Sequence, residues 1–284
     1  MKYQTDIQWL DGGRILAECG PMRLVIEAWV GRVPQRELCI RAAKEAFVFL
    51  ERIAQQRRLL SRRYRSVPEG LDDFLALKMI HSVLAVDPEL TPMAAVAGTI
   101  ADGVADFLFH RGMTKVIVNN GGDVAIRTGS DVSVNVGIRP DLAHSVITDI
   151  MTLGDERASW GVATSGLEGR SMTRGVASAA TIIAGSASVA DAAATSIANA
   201  SYVKDETVIQ KPAEELDEQT DIPGVAVTIQ AGPFTEEKKD LALSGAMTKA
   251  EKLLKKGLIF GAYIVVDGKV MMTDFVRHRL MKIS

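Results

Sequence analysis

At 284 residues the chain is long enough for one large domain or two small ones. Its 47% hydrophobic and 24% charged residues match an ordinary globular protein and exclude disorder as the main state. A formal net charge of −2 excludes the overall basic face on which nucleic-acid binding depends; the local cluster Arg57, Arg58, Arg62, Arg63 and Arg65 reads as a solvated helix end.

The opening residues, MKYQTDIQWLDGG, lack the apolar core of a signal peptide. Cys19 and Cys39 suffice for one disulfide, but their spacing suggests no metal site, and the expected setting is cytoplasmic with both thiols reduced. Residues 3–29 alternate apolar and polar and are broken at Asp11-Gly12-Gly13 and Gly20-Pro21, which predicts strands joined by tight turns. A long amphipathic helix is expected over 35–60, with Cys39, Ala43, Ala46, Phe47, Leu50, Ile53 and Ala54 as its buried stripe. Leu71 to Val86 reads as a shorter helix. Thr91-Pro92 then offers a hydroxyl cap and a first-turn proline, and the helix that follows has a small-sided inner face at Ala97, Gly98 and Ala101.

Strand-like runs follow at 115–119, 123–127, 133–138, 158–163 and 179–184. The longest uncharged stretch, Gly175 to Ala190, is too short and too weakly apolar to span a bilayer. Ser188 opens a helix to about Asn199, and the acidic stretch 204–221 reads as an exposed loop. A strand at 225–229 leads to a helix capped by Thr235 and stopped by Gly257, with acids at its start and lysines at its end. Strands at 258–266 and 269–275 are joined by Asp267-Gly268, a hairpin signal. This irregular alternation favours an α+β fold over a doubly wound parallel sheet.

Three segments have residue types suited to chemistry. Asn119-Asn120-Gly121-Gly122-Asp123 places paired glycines beside amide and carboxylate groups, suited to close approach of a ligand or to a plain hairpin turn. Ala163-Thr164-Ser165-Gly166, after a strand, can present N–H groups to a phosphate or serve as an ordinary loop. Asp191 and Thr195, four apart on one helix face, offer two hard oxygen ligands for Mg²⁺ or Ca²⁺; the alternative is that Ser188-x-x-Asp191 is a near capping box. The histidines, His81, His110, His144 and His278, lie outside all three segments, and GxSxG, GxGxxG and P-loop patterns are absent.

In order along the chain, Gly98-Thr99-Ile100-Ala101-Asp102-Gly103-Val104-Ala105-Asp106, Val118-Asn119-Asn120-Gly121-Gly122-Asp123, Gly137-Ile138-Arg139-Pro140, Val162-Ala163-Thr164-Ser165-Gly166 and Ala190-Asp191-Ala192-Ala193-Ala194-Thr195 resemble the motif series of the ApbE-like flavin transferase superfamily. The likeness is good over roughly 92–200 and loose elsewhere. It implies one ApbE-like domain over 1–284, a T-fold-type architecture of mixed sheets packed with long helices, with the acidic loop exposed. Such enzymes split FAD with Mg²⁺ and attach FMN to a Thr or Ser of an acceptor protein. By this resemblance Asp191, Thr195 and the carbonyl of Ala101 or a neighbour hold the metal. Asn119, Asn120, Gly121, Gly122 and Asp123 line the flavin nucleotide site, and Thr164, Ser165 and Gly166 approach the phosphates. Two departures stand out. The family's lysine in A-K-G is Asp102 here, and its histidine block is replaced by Glu168 to Gly175. That segment fits the short G-x-S-x-S/T-x-G of the ApbE-related branch, with Arg170 where relatives carry histidine. The usual base is therefore unassigned, and Arg170 or Arg174 is left to bind phosphate. The partners expected are a flavin nucleotide and an acceptor protein rather than nucleic acid or membrane; a homodimer is left open. A non-catalytic flavin carrier, or an enzyme of other chemistry on the same pocket, is the competing expectation.

Overall fold

Alternating strands separated by glycine turns build the first sheet edge: β1 (Thr5–Trp9), β2 (Ile15–Cys19) and β3 (Met22–Val30), with the short β4 (Val33–Pro34) folding back on β3. The computed structural model describes residues 3–138, 147, 149–167, 169 and 171–282. The long helix is α1 (Arg36–Gln55), continued by the single turn α2 (Arg57–Leu60). Its buried stripe is Cys39, Ala42, Ala43, Ala46, Phe49, Leu50 and Ile53; Phe47 is only half-buried and Ala54 is exposed, so the stripe is rotated slightly from the expected one. Both cysteines are free and buried, and burial pushes the Cys39 thiol up to about 11, which keeps it unreactive.

α3 (Phe74–Val86) is capped by Asp73, whose carboxylate accepts from the N–H groups of Leu75 and Ala76 at 2.9 Å each. Pro92–Ala95 form a 3₁₀ turn that runs into α4 (Val96–Phe109). Thr91 is not the cap expected there, because its hydroxyl donates to Asp221 instead. Residues 92–109 are long and apolar enough to cross a membrane by length and composition, but most of this stretch is buried inside the protein.

The remaining strands and helices follow in chain order. β5 (Lys115–Asn120), β6 (Asp123–Thr128), β7 (Val134–Ile138), β8 (Asp149–Leu153), β9 (Ser159–Ser165) and β10 (Ala179–Ala184) lead to α5 (Ala187–Asn199). The acidic stretch is largely exposed but is not all loop: it contains β11 (Ile209–Pro212), which pairs with β12 (Ala226–Gln230). α6 (Glu236–Lys255) is capped by Thr235 and stopped at Gly257, which sits at φ 68°. β13 (Ile259–Val266) and β14 (Lys269–Met272) form the Asp267-Gly268 hairpin; α7 (Asp274–Arg277) and β15 (Leu280–Lys282) follow it.

The main sheet runs β1-β2-β3-β5-β6-β9-β10-β13-β14, with every neighbouring pair antiparallel. Strand alternation sends Ala125, Ala163 and Ile182 to the helical side and Ile126, Val162 and Ile183 to the other. On the helical side, α1 and α4 cover β2, β3, β5 and β6, α5 and α6 cover β9, β10 and β13, and α3 packs against α4 and α5. On the opposite face the small sheet β15-β8-β7 packs around Trp160, which meets Phe260 edge to face at 5.5 Å. This is an α+β architecture of long helices packed on sheets whose strand pairs, among the described residues, are all antiparallel rather than mixed.

Candidate functional site

A helix start leaves backbone N–H groups unpaired, and α4 and α5 solve this for each other. They lie so close that a Cβ on Gly98 would sit 2.2 Å from the carbonyl oxygen of Ala187, so only glycine fits. At the start of α5, Ser186 is the N-cap, and the N–H groups of Ala187 and Ser188 donate to the two oxygens of Asp102 on α4, at 3.0 Å each. At the start of α4, the N-cap Ala95 has no side-chain acceptor. The Gly98 N–H donates instead to Asp191 Oδ2 on α5 at 2.9 Å, with the Ala97 N–H also bonding this carboxylate. The capping-box alternative for Ser188 and Asp191 is thereby corrected: Asp191 caps the neighbouring helix, not its own.

The two carboxylates differ in what surrounds them. Asp102 is fully buried and pairs with Arg127 at 2.9 Å and Lys78 at 3.2 Å. Burial alone would raise its carboxyl, but Lys78, Arg127 and the helix N–H groups outweigh that and hold it below the usual range. Asp102 thus points its charge into a neutralised cluster, which Asp106 completes by accepting from Arg127 at 2.7 Å. Among the described residues Asp191 has no such cations around it. Burial, and then the Asp123 carboxylate beside it, raise it well above the usual carboxylate range, against the N–H groups of Gly98 and Ala97. Asp123 itself is pushed up to about 7 by burial, tempered by the Thr164 N–H.

Asp123 reaches this place through the β5–β6 hairpin. Asn120 pairs with Asp123 across the ladder, and Gly121 and Gly122 form the two-residue turn at φ 68° and 120°. Asn119 Oδ1 accepts from the Gly122 N–H at 2.9 Å, and Asn120 donates from Nδ2 to the Ala97 carbonyl at 3.2 Å, tying the turn to the start of α4. Asp123 shares the helix-side parity of Ala125, which directs it at Asp191.

The structure therefore brings Asn120, Gly121, Gly122, Asp123 and Asp191 together. Thr195, one turn after Asp191 on the same face, is half-buried. Ala101 lies one turn deeper in α4 than Ala97 and is fully buried. Along β9, Ser165 has the α5-facing parity and a buried hydroxyl with no hydrogen-bond partner among the described residues. Thr164 takes the opposite face, where its hydroxyl meets Thr181 at 2.8 Å; its backbone, not its side chain, serves the site. Gly166 passes so close to Ser178 that a Cβ would lie 2.4 Å from that carbonyl oxygen. Arg174 is set apart, its N–H donating to Asn199 at the far end of α5 at 2.8 Å. Glu168, Arg170, His144, Arg139 and Pro140 lie outside the described residues. Lys78 and Arg127, which neutralise Asp102, were not anticipated, because neither stands in any motif.

Among the described residues no three or more His, Cys, Asp or Glu side chains gather as a metal cluster. What gathers is a hard-oxygen set: two carboxylates, with the Thr195 hydroxyl and the Ala97 carbonyl nearby. That set suits Mg²⁺, which takes one or two carboxylates and completes its shell with water and phosphate.

The chain shares this frame with known proteins. Residues 7–272 match the family model "AbpE bacteria". The chain is 37% identical over 145 residues to a UPF0280 protein of Methanococcus vannielii, covering 49% of this chain and 57% of that one. It is 29% identical over 197 residues to one of Methanocaldococcus jannaschii, covering 68% and 76%. The chain thus spans little more than half the length of the first of these relatives. Among solved structures, the ApbE protein of Thermotoga maritima superposes with a TM-score of 0.56 at 13% identity over 98% of this chain and 99% of that one. The apo flavinyl transferase ApbE of Pseudomonas stutzeri does so with a TM-score of 0.51 at 13% identity over 99% of each. At such identity the likeness is one of fold. With the family match spanning almost its whole length, the chain belongs to the ApbE-like family, in its ApbE-related branch.

Proposed function

We propose that this protein binds FAD or a related flavin nucleotide, together with a divalent cation, between the starts of α4 and α5 and the Asn119–Asp123 turn. The observation that carries the reading is the Asp123–Asp191 pair: two carboxylates side by side, opposed among the described residues by backbone N–H groups alone. Such a pair favours a cation. Asp191 and Thr195 would hold Mg²⁺, with Asp123 and a carbonyl of early α4, Ala97 or Ala101, completing the protein share. When bound, the cation supplies neutralisation of pyrophosphate charge. Asn120 orients the turn, the bare backbones of Gly121 and Gly122 admit a nucleotide, and the unpartnered Ser165 hydroxyl has a hydrogen bond to give.

Transfer of FMN to a Ser or Thr of an acceptor protein is the activity that this site would serve, in the cytoplasm. One observation favours the second reading, a flavin carrier without transfer. His81 lies on α3, His110 just past α4 and His278 just past α7, so none of the described histidines is at hand to accept a hydroxyl proton. Calorimetric titration with FAD, with and without Mg²⁺, tests the shared claim. Saturable binding that depends on Mg²⁺ and is lost in Asp191→Ala is expected; binding of equal strength in EDTA would refute it. AMP release from FAD then separates transferase from carrier.

A further inference from the structure

At the far end of α5 lies a cavity of about 640 Å³ whose lining includes neither Asp123 nor Asp191. Asn199 lines it, eight residues beyond Asp191 and therefore about 12 Å further along the helix. Two guanidinium groups share its wall: Arg63, from the basic cluster before α3, and Arg174, from the loop after β9. Neither has an ion pair or side-chain hydrogen bond among the described residues, although Arg65 of the same cluster pairs with Glu89 at 2.6 Å. That pairing neutralises the one acid on the wall and leaves the cavity positive.

The amides sharpen the chemistry. Asn199 Oδ1 is taken up by the Arg174 N–H at 2.8 Å and the Thr173 hydroxyl at 3.4 Å, so its NH₂ is the group left to offer. Gln210 spends its NH₂ on the Arg174 carbonyl and the Thr228 hydroxyl, both at 3.1 Å, keeping one acceptor. Tyr202, 47% exposed, adds an aromatic wall with a hydroxyl. Two unpaired guanidinium forks, an amide NH₂ and a phenol form a donor-rich surface suited to an oxyanion. The volume accommodates more than an inorganic ion.

We propose that this cavity is a second, metal-independent site for a phosphate monoester of mononucleotide size, held by Arg63 and Arg174. It does not rest on the FAD reading. The test is a titration of the full chain in EDTA with AMP and, separately, FMN, the two sources of that chemistry. Saturable binding of at least one is expected, weakened roughly tenfold by Arg63→Gln and again by Arg174→Gln, and unchanged in Asp191→Ala. Both arginines are exposed, so the variants keep the fold. Absence of binding by both nucleotides, or binding indifferent to both arginine changes, overturns the proposal; so does binding lost in Asp191→Ala. Absence of Mg²⁺-dependent FAD binding in the unaltered protein, with this binding present, would refute the first site and leave this one standing.

Discussion

Asp102 and Asp191 occupy equivalent positions in a reciprocal arrangement, each accepting the unpaired N–H groups of the other's helix, yet their surroundings are opposite. Asp102 is closed off: two N–H groups and two cations meet its two oxygens in a buried setting, and nothing remains for a ligand. Asp191 has the N–H groups but a carboxylate where Asp102 has its cations. A cap needs only the first half of that arrangement, and a like-charged neighbour weakens it. The imbalance at Asp191 is what marks that end of the helix pair as a site. The family's lysine-to-aspartate exchange at position 102 also finds its explanation here. The new anion serves the start of α5 and is answered by Lys78 and Arg127, so it adds no uncompensated charge beside the Asp123–Asp191 pair.

The largest test of this contrast is Asp102→Ala. It strands Arg127 and Lys78 and frees two helix N–H groups, and should cost about 3–5 kcal/mol in urea unfolding. Gly98→Ala should follow at about 1–3 kcal/mol, because the added methyl meets the Ala187 carbonyl and the helices must part. Asp191→Ala should cost about 1 kcal/mol or less, since the lost cap is offset by relief of Asp123, while Mg²⁺-dependent binding disappears. An Asp191→Ala loss as large as that of Asp102→Ala would erase the distinction.

Much of this frame is legible in the sequence. Glycine turns, the α1 period and the Thr235 cap each act locally, so residues 3–55 and 235–272 read almost directly. The ordered motifs located Asp123 and Asp191 as well. What the sequence hides is where side chains meet. Thr164 and Ser165 look equivalent, yet strand parity sends one hydroxyl to Thr181 and buries the other facing α5. Ser188 looked like part of a cap for its own helix, but the chain turns two residues earlier, at Ser186, and gives Asp191 to α4. Lys78, Asp102 and Arg127 come from α3, α4 and β6; no spacing rule connects them. Short elements such as β11 and β15 are set by pairing with distant partners, which local pattern does not record.

Smaller effects come from pH. Asp123 is pushed up to about 7, and Asp191 is raised too, whereas an unfolded aspartate titrates near ~3.9. Between those values the native protein holds more protons than the unfolded chain. Stability in EDTA should therefore fall as pH rises from about 4 to about 7. The lowered carboxyls Asp73, Asp87 and Asp102 act with the opposite sign and below that window, where stability is lost as pH falls. Melting temperatures at pH 5 and 8 should show the decline, flattened in Asp123→Asn and reversed by Mg²⁺.

The smallest structural change is Thr195→Val. The side chain is half-buried and makes no interhelical bond among the described residues, so unfolding free energy should move by no more than about 0.5 kcal/mol. If the hydroxyl ligates the cation, Mg²⁺ affinity should nevertheless drop by at least roughly tenfold, the loss typical even of groups that only support a metal ligand. Thr195→Ser, which keeps the oxygen and drops the methyl, should recover most of it. Unchanged Mg²⁺ affinity in the valine variant would confine the site to the two carboxylates and the start of α4. Asp191 would then face Asp123 without the helix turn that follows it contributing to the contrast with Asp102.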